Sequence, residues 1–399
     1  MNKEEEKIDP KDIPKDSLKK FKEHYENIIG ELNKDIEDIK KMRLSENIRF
    51  FVWMIFLDIL PYDKTKYWKK ILDERRSDYH QLKKKFISDN INNFINCTHG
   101  KGSPEYESYK KIIPVQDMAV LELVKIDIDR TFQEMDYFKT PRTKTSLITN
   151  LFIFAKTFPD CGYKQGMNEI CAVIMYVVFK NYKINNSDLT DNNSIIFLNI
   201  HGNNQFLEED TFMIFSRLMN REIGEFYQYN SPKYRNTYFN SKSLEEKAKL
   251  THDDIQFSNE CLLKRRIYEM FYVHVGKFDN ILSQFLRVKI DPELFLLRWY
   301  LCLFTREFSL DKVILLWDLI LGYEYIQFSI CKNNYKQHAL FIDSIAISMI
   351  VLCKNNFNKN DDYTNILDVY LHYPKEIALE DIIEKALKIN EILFPNIKF

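Results

Sequence analysis

Residues 147–179, LITNLFIFAKTFPDCGYKQGMNEICAVIMYVVF, contain two apolar segments on either side of a short turn with two glycines. In the first segment, apolar residues recur at three- and four-residue steps, which predicts a helix that ends near Phe158. The run 170–179 is apolar throughout but well short of the roughly 18 residues of a membrane span, so it predicts a buried helix beginning near Glu169. One helix directly after another favours an all-α fold.

The composition supports the same fold class. Only 9 glycines and 11 prolines occur in 399 residues, too few for the many tight turns of a sandwich, a barrel or a doubly wound sheet. The few glycines also leave no phosphate-binding loop at the spacing of a nucleotide fingerprint. Lys and Arg number 57 against 58 Asp and Glu, and the net charge of -1 argues against a nucleic-acid partner. The chain is therefore expected to bind no nucleotide unaided and no nucleic acid.

The cysteine and histidine patterns argue against a disulfide framework and a metal site. The seven cysteines lie far apart, form no C-x-x-C pair and fall mostly within apolar stretches, where a free thiol packs like a small apolar side chain. This pattern indicates a reducing compartment. The eight histidines form no H-E-x-x-H pattern, and Cys97-Thr98-His99 is too tight and isolated for a zinc site, so no metal is expected. The acidic N-terminus has no signal-peptide core. A cytoplasmic location without a membrane anchor is expected, with any recruitment to endomembranes or vesicles through a partner.

Composition shifts divide the chain into four parts. A flexible leader of 1–15 and an amphipathic helical extension of 16–44 precede the main domain of 45–325, and 326–399 continues that domain as a helical C-terminal part. A polar insertion of about 228–256 interrupts the main domain. The segments that are candidates for catalysis or binding all lie within the main domain.

Two antiparallel helices are predicted late in the main domain. Asp291 precedes a proline and a glutamate, the pattern of an N-cap and an acidic first turn, so a helix begins there. A serine and an aspartate open the next helix, and Gly322 closes it. Arg298 interrupts an otherwise apolar face, and a buried guanidinium needs a carboxylate, which Asp318 or Glu307 could supply. This segment is interpreted as structural.

Two earlier segments are candidates for chemistry. Asp127 and Arg130 stand three residues apart, so on a helical turn the carboxylate can hold the guanidinium and present its tip in one orientation. A surface ion pair of little energetic value is the alternative interpretation. Around Tyr163 and Gln165, two glycines permit a sharp bend that presents the uncharged amide outward. A turn that merely connects two helices is the alternative there.

Taken in order, these segments resemble the TBC domain, an all-helical module that activates the GTPase activity of Rab-family small G proteins. Four separately spaced motifs carry the resemblance: the opening block 48–79, Val124-x-x-Asp127-x-x-Arg130 for IxxDxxR, Tyr163-x-Gln165-Gly166 for YxQ, and Arg298-Trp299…Trp317-Asp318 for the closing RW…WD block. The likeness covers about 45–325 and continues weakly through a Tyr-Pro pair near the end. Within the family, the Met-Asn-Glu-Ile continuation of YxQ and the Tyr-Pro tail look closest to the branch numbered thirteen in the mammalian naming.

The resemblance implies a fold and a mechanism. The fold would be a multi-helix TBC domain built from two helical subdomains. Arg130 would be an arginine finger that stabilises charge on the β- and γ-phosphate oxygens, and Gln165 would position the attacking water. Asp127 would orient Arg130, while Tyr163 would pack beside the nucleotide pocket and, with Gly166, shape the turn that carries Gln165.

The implied partner is a Rab-family small GTPase in its GTP-bound state. That partner would carry the GTP and the Mg²⁺, so the chain would need no cofactor of its own and would turn over nothing alone. The alternative from a different class is a catalytically weak or inactive TBC-fold scaffold that binds a Rab or an effector. The presence of both Arg130 and Gln165 favours activity.

Overall fold

The computed structural model describes residues 46–61, 67–185, 205–230, 239, 241–330, 341–358 and 360–393. The α-helices in these ranges, numbered in chain order, are α1 Glu46–Phe56, α2 Trp68–Phe86, α3 Asp89–Asn96, α4 Pro104–Ile112, α5 Val115–Asp129, α6 Asp136–Lys139, α7 Pro141–Thr157, α8 Met167–Asn185, α9 Leu207–Met219, α10 Glu222–Phe226, α11 Leu244–Lys247, α12 His252–Gln256, α13 Leu262–Tyr268, α14 Val275–Phe278, α15 Asn280–Arg287, α16 Glu293–Leu301, α17 Leu310–Ile330, α18 Phe341–Leu352, α19 Tyr363–Leu371 and α20 Leu379–Leu393.

The predicted all-α class is confirmed, because the described ranges contain helices and no strand. Short 3-10 segments follow α10 and α18, and a π-helical segment joins α13 to α14. No helix in these ranges combines the length and the apolar character needed to cross a bilayer. The predicted leader of 1–15 and the predicted helix of 16–44 lie outside the described residues.

Helices α7 and α8 form the pair that the sequence predicts around the glycine turn. Pro141 occupies the first turn of α7, and the Thr140 side chain caps it by accepting a hydrogen bond from Thr143 N at 3.3 Å. Helix α7 ends just before Phe158, as predicted, and α8 begins slightly before the predicted start at Glu169. Most side chains of both helices are buried, so the turn between them is held at both ends.

Helix α8 lies at the centre of the N-terminal part. It packs against α1, α5, α7 and α9, and α17 reaches it from the C-terminal part. In the C-terminal part, α18 packs along α20, and α16 contacts α13, α18 and α19. A continuous core of buried apolar residues joins these helices. The division into two helical subdomains stays a prediction.

Two buried side chains of the closing block contact the opening block. Asp318 accepts hydrogen bonds from Arg49 Nε at 3.0 Å and from Trp53 Nε1 at 2.7 Å, across 269 and 265 residues of sequence. Trp317 lies 5.9 Å from Trp53 between ring centroids and donates through Nε1 to Leu303 O at 3.0 Å. Burial raises the pKa of Asp318 to about 6, although Arg49 and Trp53 favour the charged carboxylate. The two ends of the predicted main domain therefore meet in the core.

Arg298 pairs with Glu307 and not with Asp318, which decides between the two carboxylates that the sequence left open. Its Nε donates to Glu307 Oε1 at 2.8 Å, and its Nη2 donates to Leu371 O at 2.8 Å. The neighbouring Trp299 is fully buried among aromatic rings of α16 and α19. These contacts hold α16 against α19.

The predicted helix end at Gly322 is wrong. Helix α17 continues to Ile330, and Gly322 lies inside it against the ring of Phe56, where an added Cβ would be 3.4 Å from Cε2. The small residue therefore serves the packing of α17 on α1. Helix α16 begins at Glu293 with Pro292 at its N-cap, slightly later than the predicted start at Asp291. Asp291 still contacts the first turn, since its Oδ1 accepts a hydrogen bond from Glu293 N at 3.0 Å. Within the predicted insertion, α11 and α12 each begin with a capping box.

Candidate functional site

Arg130 directly follows α5, at the point where the chain leaves the helix. It is the C-cap residue, with φ −107° and ψ 0°. Phe132, two residues later, has φ +44°, a region that costs a residue with a side chain about 1 kcal/mol or more. The Arg130 side chain is 47% exposed, and its Nη2 donates to Asp127 Oδ1. A half-exposed guanidinium is thus held by a carboxylate one helical turn back.

Asp127 is the buried centre of the site. Its side chain is only 1% exposed, so the carboxylate depends on hydrogen-bond donors from the protein. Oδ1 accepts from Arg130, and Oδ2 accepts from the Tyr163 hydroxyl at 2.7 Å. Burial raises the pKa of Tyr163, and the bond to Asp127 raises it further, so the hydroxyl keeps its proton and acts as the donor. This bond joins α5 to the glycine turn 36 residues later.

An amide and a hydroxyl complete the network behind Arg130. Asn168 Nδ2 donates to Thr131 Oγ1 at 2.8 Å, and Thr131 Oγ1 donates to Asp127 O at 2.7 Å. Asn168 Oδ1 accepts from Gly166 N at 3.0 Å and lies 3.4 Å from Tyr163 Oη. Thr131 and Asn168 are both buried. The end of α5 is therefore tied to the start of α8 through side chains that are shielded from solvent.

Gln165 lies on the exposed side of the turn between α7 and α8. Its side chain makes no hydrogen bond to any residue in the described ranges. Gly166 follows with φ +103°, and a Cβ there would be 3.1 Å from Leu301 O and 3.5 Å from Cys302 Sγ. Glycine satisfies both the backbone angle and the close approach. The turn is thus packed on the end of α16 while the Gln165 amide stays exposed.

A second support lies beneath the start of α8. Glu169 Oε1 accepts from Arg306 Nε at 3.1 Å and from Arg306 Nη2 at 2.9 Å, and Oε2 accepts from Thr305 Oγ1 at 3.3 Å. The Glu169 side chain is almost fully buried. Leu303 and Phe304, just before these donors, both have positive φ. The strained loop after α16 is therefore bonded to the helix that follows the Gln165 turn.

The structure places the predicted site residues on two adjoining segments that the bond between Asp127 and Tyr163 connects. Those residues are Asp127, Arg130, Tyr163, Gln165 and Gly166. Sequence reasoning missed the supporting contacts of Thr131, Asn168 and Arg306. Asn168 follows Gly166 by two residues and stands at the start of a mostly apolar helix, so a polar amide at that position was a signal in the sequence. Arg306 gave no such signal, because its partner Glu169 is 137 residues away.

A separate cluster contains Cys97, His99 and Glu105. Each offers one atom that could bind a metal, and these three atoms all lie within 4.8 Å of one another. His99 Nδ1 is 2.6 Å from Glu105 Oε2 and 3.8 Å from Cys97 Sγ. The sequence pointed only to the cysteine and the histidine, and the fold adds the glutamate. All three residues are at least partly exposed, and a hydrogen bond between His99 and Glu105 accounts for their contact.

The chain matches a family model for the Rab-GTPase-TBC domain over residues 46–248 and 247–340. That span contains the opening block, the site around Arg130 and the closing block. The crystal structure of the Ypt/Rab-GAP domain of Gyp1p has a similar fold, with a TM-score of 0.61 and 18% sequence identity over 94% of this chain and 99% of that one.

Two curated relatives extend the comparison. TBC1 domain family member 5 from Mus musculus is 24% identical over 362 residues, which cover 86% of this chain and 40% of that protein. GTPase-activating protein GYP1 from Saccharomyces cerevisiae is 24% identical over 211 residues, which cover 52% of this chain and 28% of that protein. The chain therefore spans less than half the length of these relatives. The expected likeness to the branch numbered thirteen is not confirmed, since the first of these relatives carries the number five.

Proposed function

The chain belongs to the Rab-GTPase-TBC domain family, and on that basis we propose that it accelerates GTP hydrolysis by a GTP-bound Rab-family GTPase. The observation that carries the proposal is the half-exposed Arg130 guanidinium. It rests on the buried Asp127 carboxylate, which Tyr163 connects to the turn that presents Gln165. One relative is named a GTPase-activating protein, which supports the same activity.

In this proposal, Arg130 supplies positive charge to the phosphate site of the partner. Hydrolysis builds negative charge on the β- and γ-phosphate oxygens, and a cation inserted in trans stabilises that transition state. The guanidinium has five N–H donors in a planar fork, so donors remain for phosphate oxygens while one is engaged by Asp127. Because Asp127 and the backbone after Arg130 are already held in place, little freedom is lost when the side chain enters the partner.

Gln165 holds the attacking water in line with the γ-phosphate. A primary amide can donate to and accept from one water at the same time, which suits this positioning role. The side chain is exposed, while the backbone beside it is packed against Leu301 and bonded to Asn168. A rigid base under a reachable amide is the arrangement that positioning requires.

GTP and Mg²⁺ enter the proposal as parts of the partner. The chain contributes side chains to an active site that the GTPase carries, so it turns over no substrate alone. A membrane-bound Rab would also be the means by which the chain reaches a vesicle or an endomembrane.

The test is GTP hydrolysis by a panel of purified Rab proteins with wild-type chain, Arg130→Ala and Gln165→Ala. Arg75→Ala and Gln81→Ala, at exposed positions of α2, are matched controls. We expect acceleration of at least one Rab, a loss of about 10³-fold or more with Arg130→Ala, and a strong loss with Gln165→Ala. The control variants should retain the wild-type rate and melting temperature. Arg130→Ala removes a donor from the buried Asp127 carboxylate and should lower the melting temperature, so every rate is measured at a temperature where all variants are folded.

Two outcomes would contradict the proposal. Binding of a GTP-loaded Rab without any acceleration would identify a binding scaffold instead of an activator. Acceleration that survives both Arg130→Ala and Gln165→Ala would show that other residues carry the activity.

A further inference from the structure

The outward face of α5 carries an apolar stripe that leads to Arg130. Ala119, Leu123 and Ile126 precede Arg130 at steps of four, three and four residues, so all four side chains share one face of the helix. Leu123 is 44% and Ile126 49% exposed, and Ala119 is exposed as well. The outward face of a surface helix is normally polar. We call Ala119, Leu123 and Ile126 the α5 stripe.

The charged residues of α5 that flank the stripe point to other partners. Lys125 Nζ donates to main-chain carbonyls at the end of α3, the shortest at 2.9 Å. Asp129 pairs with Lys144 at 2.7 Å, and Glu122 pairs with Lys101 at 3.1 Å. In each of these contacts, the charged side chain of α5 bonds to a residue on a neighbouring helix or loop and does not lie over the stripe. The stripe is left apolar along its length, with the cation of Arg130 at its end.

Distances along the helix show how much of the stripe a partner protein covers when Arg130 contacts its phosphate site. At 1.5 Å per residue, Ile126 lies about 6 Å, Leu123 about 10 Å and Ala119 about 16 Å from Arg130 along the axis. A standard protein interface buries about 800 Å² on each partner, a disc with a radius of roughly 16 Å. A protein whose phosphate site is centred on Arg130 therefore covers Ile126 and Leu123 and reaches the edge at Ala119.

We propose that the α5 stripe is the apolar docking surface for the GTP-loaded GTPase, and that it contacts an apolar patch beside the partner's nucleotide pocket. The inference rests on the proposed function, and it assigns binding of the partner to residues other than the two proposed fingers. Arg130 and Gln165 act on the rate of hydrolysis, whereas Leu123 and Ile126 act on affinity. Scattered exposed apolar residues are common on proteins and need no partner. The alignment of these residues with Arg130 on one helix face distinguishes the stripe.

The experiment replaces Leu123 or Ile126 by Glu and measures two quantities for the responsive Rab. One is the split between KM and kcat for stimulated hydrolysis, and the other is the Kd for the Rab loaded with a non-hydrolysable GTP analogue. The matched control is Ile281→Glu on α15, where the side chain is 74% exposed and lies on another helix. All of these sites are solvent-exposed, so the melting temperatures of the variants should equal that of the wild type.

We expect Ile126→Glu and Leu123→Glu each to raise KM and Kd about tenfold or more, because apolar contact is lost and a carboxylate must be desolvated. For Leu123→Glu, the kcat at saturation should stay within about twofold, since the residues that act on the phosphates are intact. Ile126→Glu places a carboxylate four residues before Arg130 on the same face, so it can pair with the guanidinium and its kcat should fall as well. Ile281→Glu should change neither quantity. Ile126→Leu keeps the apolar surface, so its KM and Kd should equal those of the wild type.

Unchanged KM and Kd in the two Glu variants would overturn the inference and leave the proposed function standing. Increased activity in those variants would also overturn it, because it would mean that another segment of this chain normally covers the stripe. If the wild type binds a Rab without accelerating it, the proposed function fails, and loss of that binding in Leu123→Glu still supports the stripe. If the wild type neither binds nor accelerates any Rab, both are overturned.

Discussion

Replacing Gly166 by Ala tests how strongly the structure constrains the turn that carries Gln165. Gly166 has φ +103°, and an added Cβ would lie 3.1 Å from Leu301 O. That oxygen is main chain and accepts a hydrogen bond from the Tyr227 hydroxyl, so it has little room to move away. Cys302 Sγ, at 3.5 Å, closes the other side of the site.

Two costs add for Gly166→Ala. A backbone angle that L-residues rarely adopt costs about 1–3 kcal/mol, and inserting a methyl group into a packed site costs about 1–3 kcal/mol more. Gly162→Ala is the matched control in the same turn. Gly162 has φ +61°, in the left-handed helical region, and its added Cβ would be an ordinary 3.8 Å from Pro159 O, so the control should lose only about 1–2 kcal/mol. The two variants should therefore differ by about 2 kcal/mol.

Urea unfolding of the wild type and both variants measures the stability difference. Stimulated GTP hydrolysis, at a temperature where all three are folded, measures the effect on Gln165. We expect Gly166→Ala to lower kcat well below that of Gly162→Ala, because the bond from Gly166 N to Asn168 and the position of Gln165 are disturbed together. Equal unfolding free energies and equal kcat values for the two variants would refute the reasoning.

Three further predictions concern single side chains. Tyr163→Phe removes a donor to the buried Asp127 carboxylate and should cost about 1–3 kcal/mol in urea unfolding, with a lower kcat and an unchanged Kd for the GTPase; an unchanged kcat would contradict it. Asp318→Ala deprives Trp53 Nε1 and Arg49 Nε of a buried acceptor and should cost about 3–5 kcal/mol, whereas a loss below about 1 kcal/mol would show that the contact between the domain ends matters little. Burial raises the pKa of Glu324 to about 7, so between its ordinary range and about 7 the folded state keeps a proton that the unfolded state has lost. The contribution of Glu324 to the free energy of unfolding is thus largest at low pH and falls as pH rises through this window. Glu324→Gln should reduce the difference in unfolding free energy between urea titrations at pH 5 and pH 8. An unaltered difference would count against this role of Glu324.

The local parts of the fold could be predicted from the sequence because their signals are local. Apolar periodicity predicts α7, and the spacing of Asp127 and Arg130 predicts a contact within one helical turn. The glycine pair predicts a sharp bend at Gln165. The structure agrees on the helices, on the contact of Asp127 with Arg130 and on the bend, where both glycines have positive φ.

Contacts between distant segments could not be predicted in the same way. Asp318 and Glu307 are equally suitable carboxylates for Arg298 by residue type, and the packing of α17 on α1 turns Asp318 toward Arg49 instead. Glycine is a common residue at helix ends, but Gly322 lies in the middle of a helix, where its small size lets the ring of Phe56 pack closely. Such choices depend on which helices meet.

The measurement that tests the central claim most directly is the single-turnover rate of GTP hydrolysis by the responsive Rab at saturating chain, wild type against Arg130→Ala. Saturation removes differences in affinity, so the rate reports only what the side chain does in the bound complex. The proposed arginine finger predicts a fall of about 10³-fold or more, with binding of the GTP-loaded Rab preserved. A fall of less than about tenfold, with the complex fully formed, would contradict the role of Arg130.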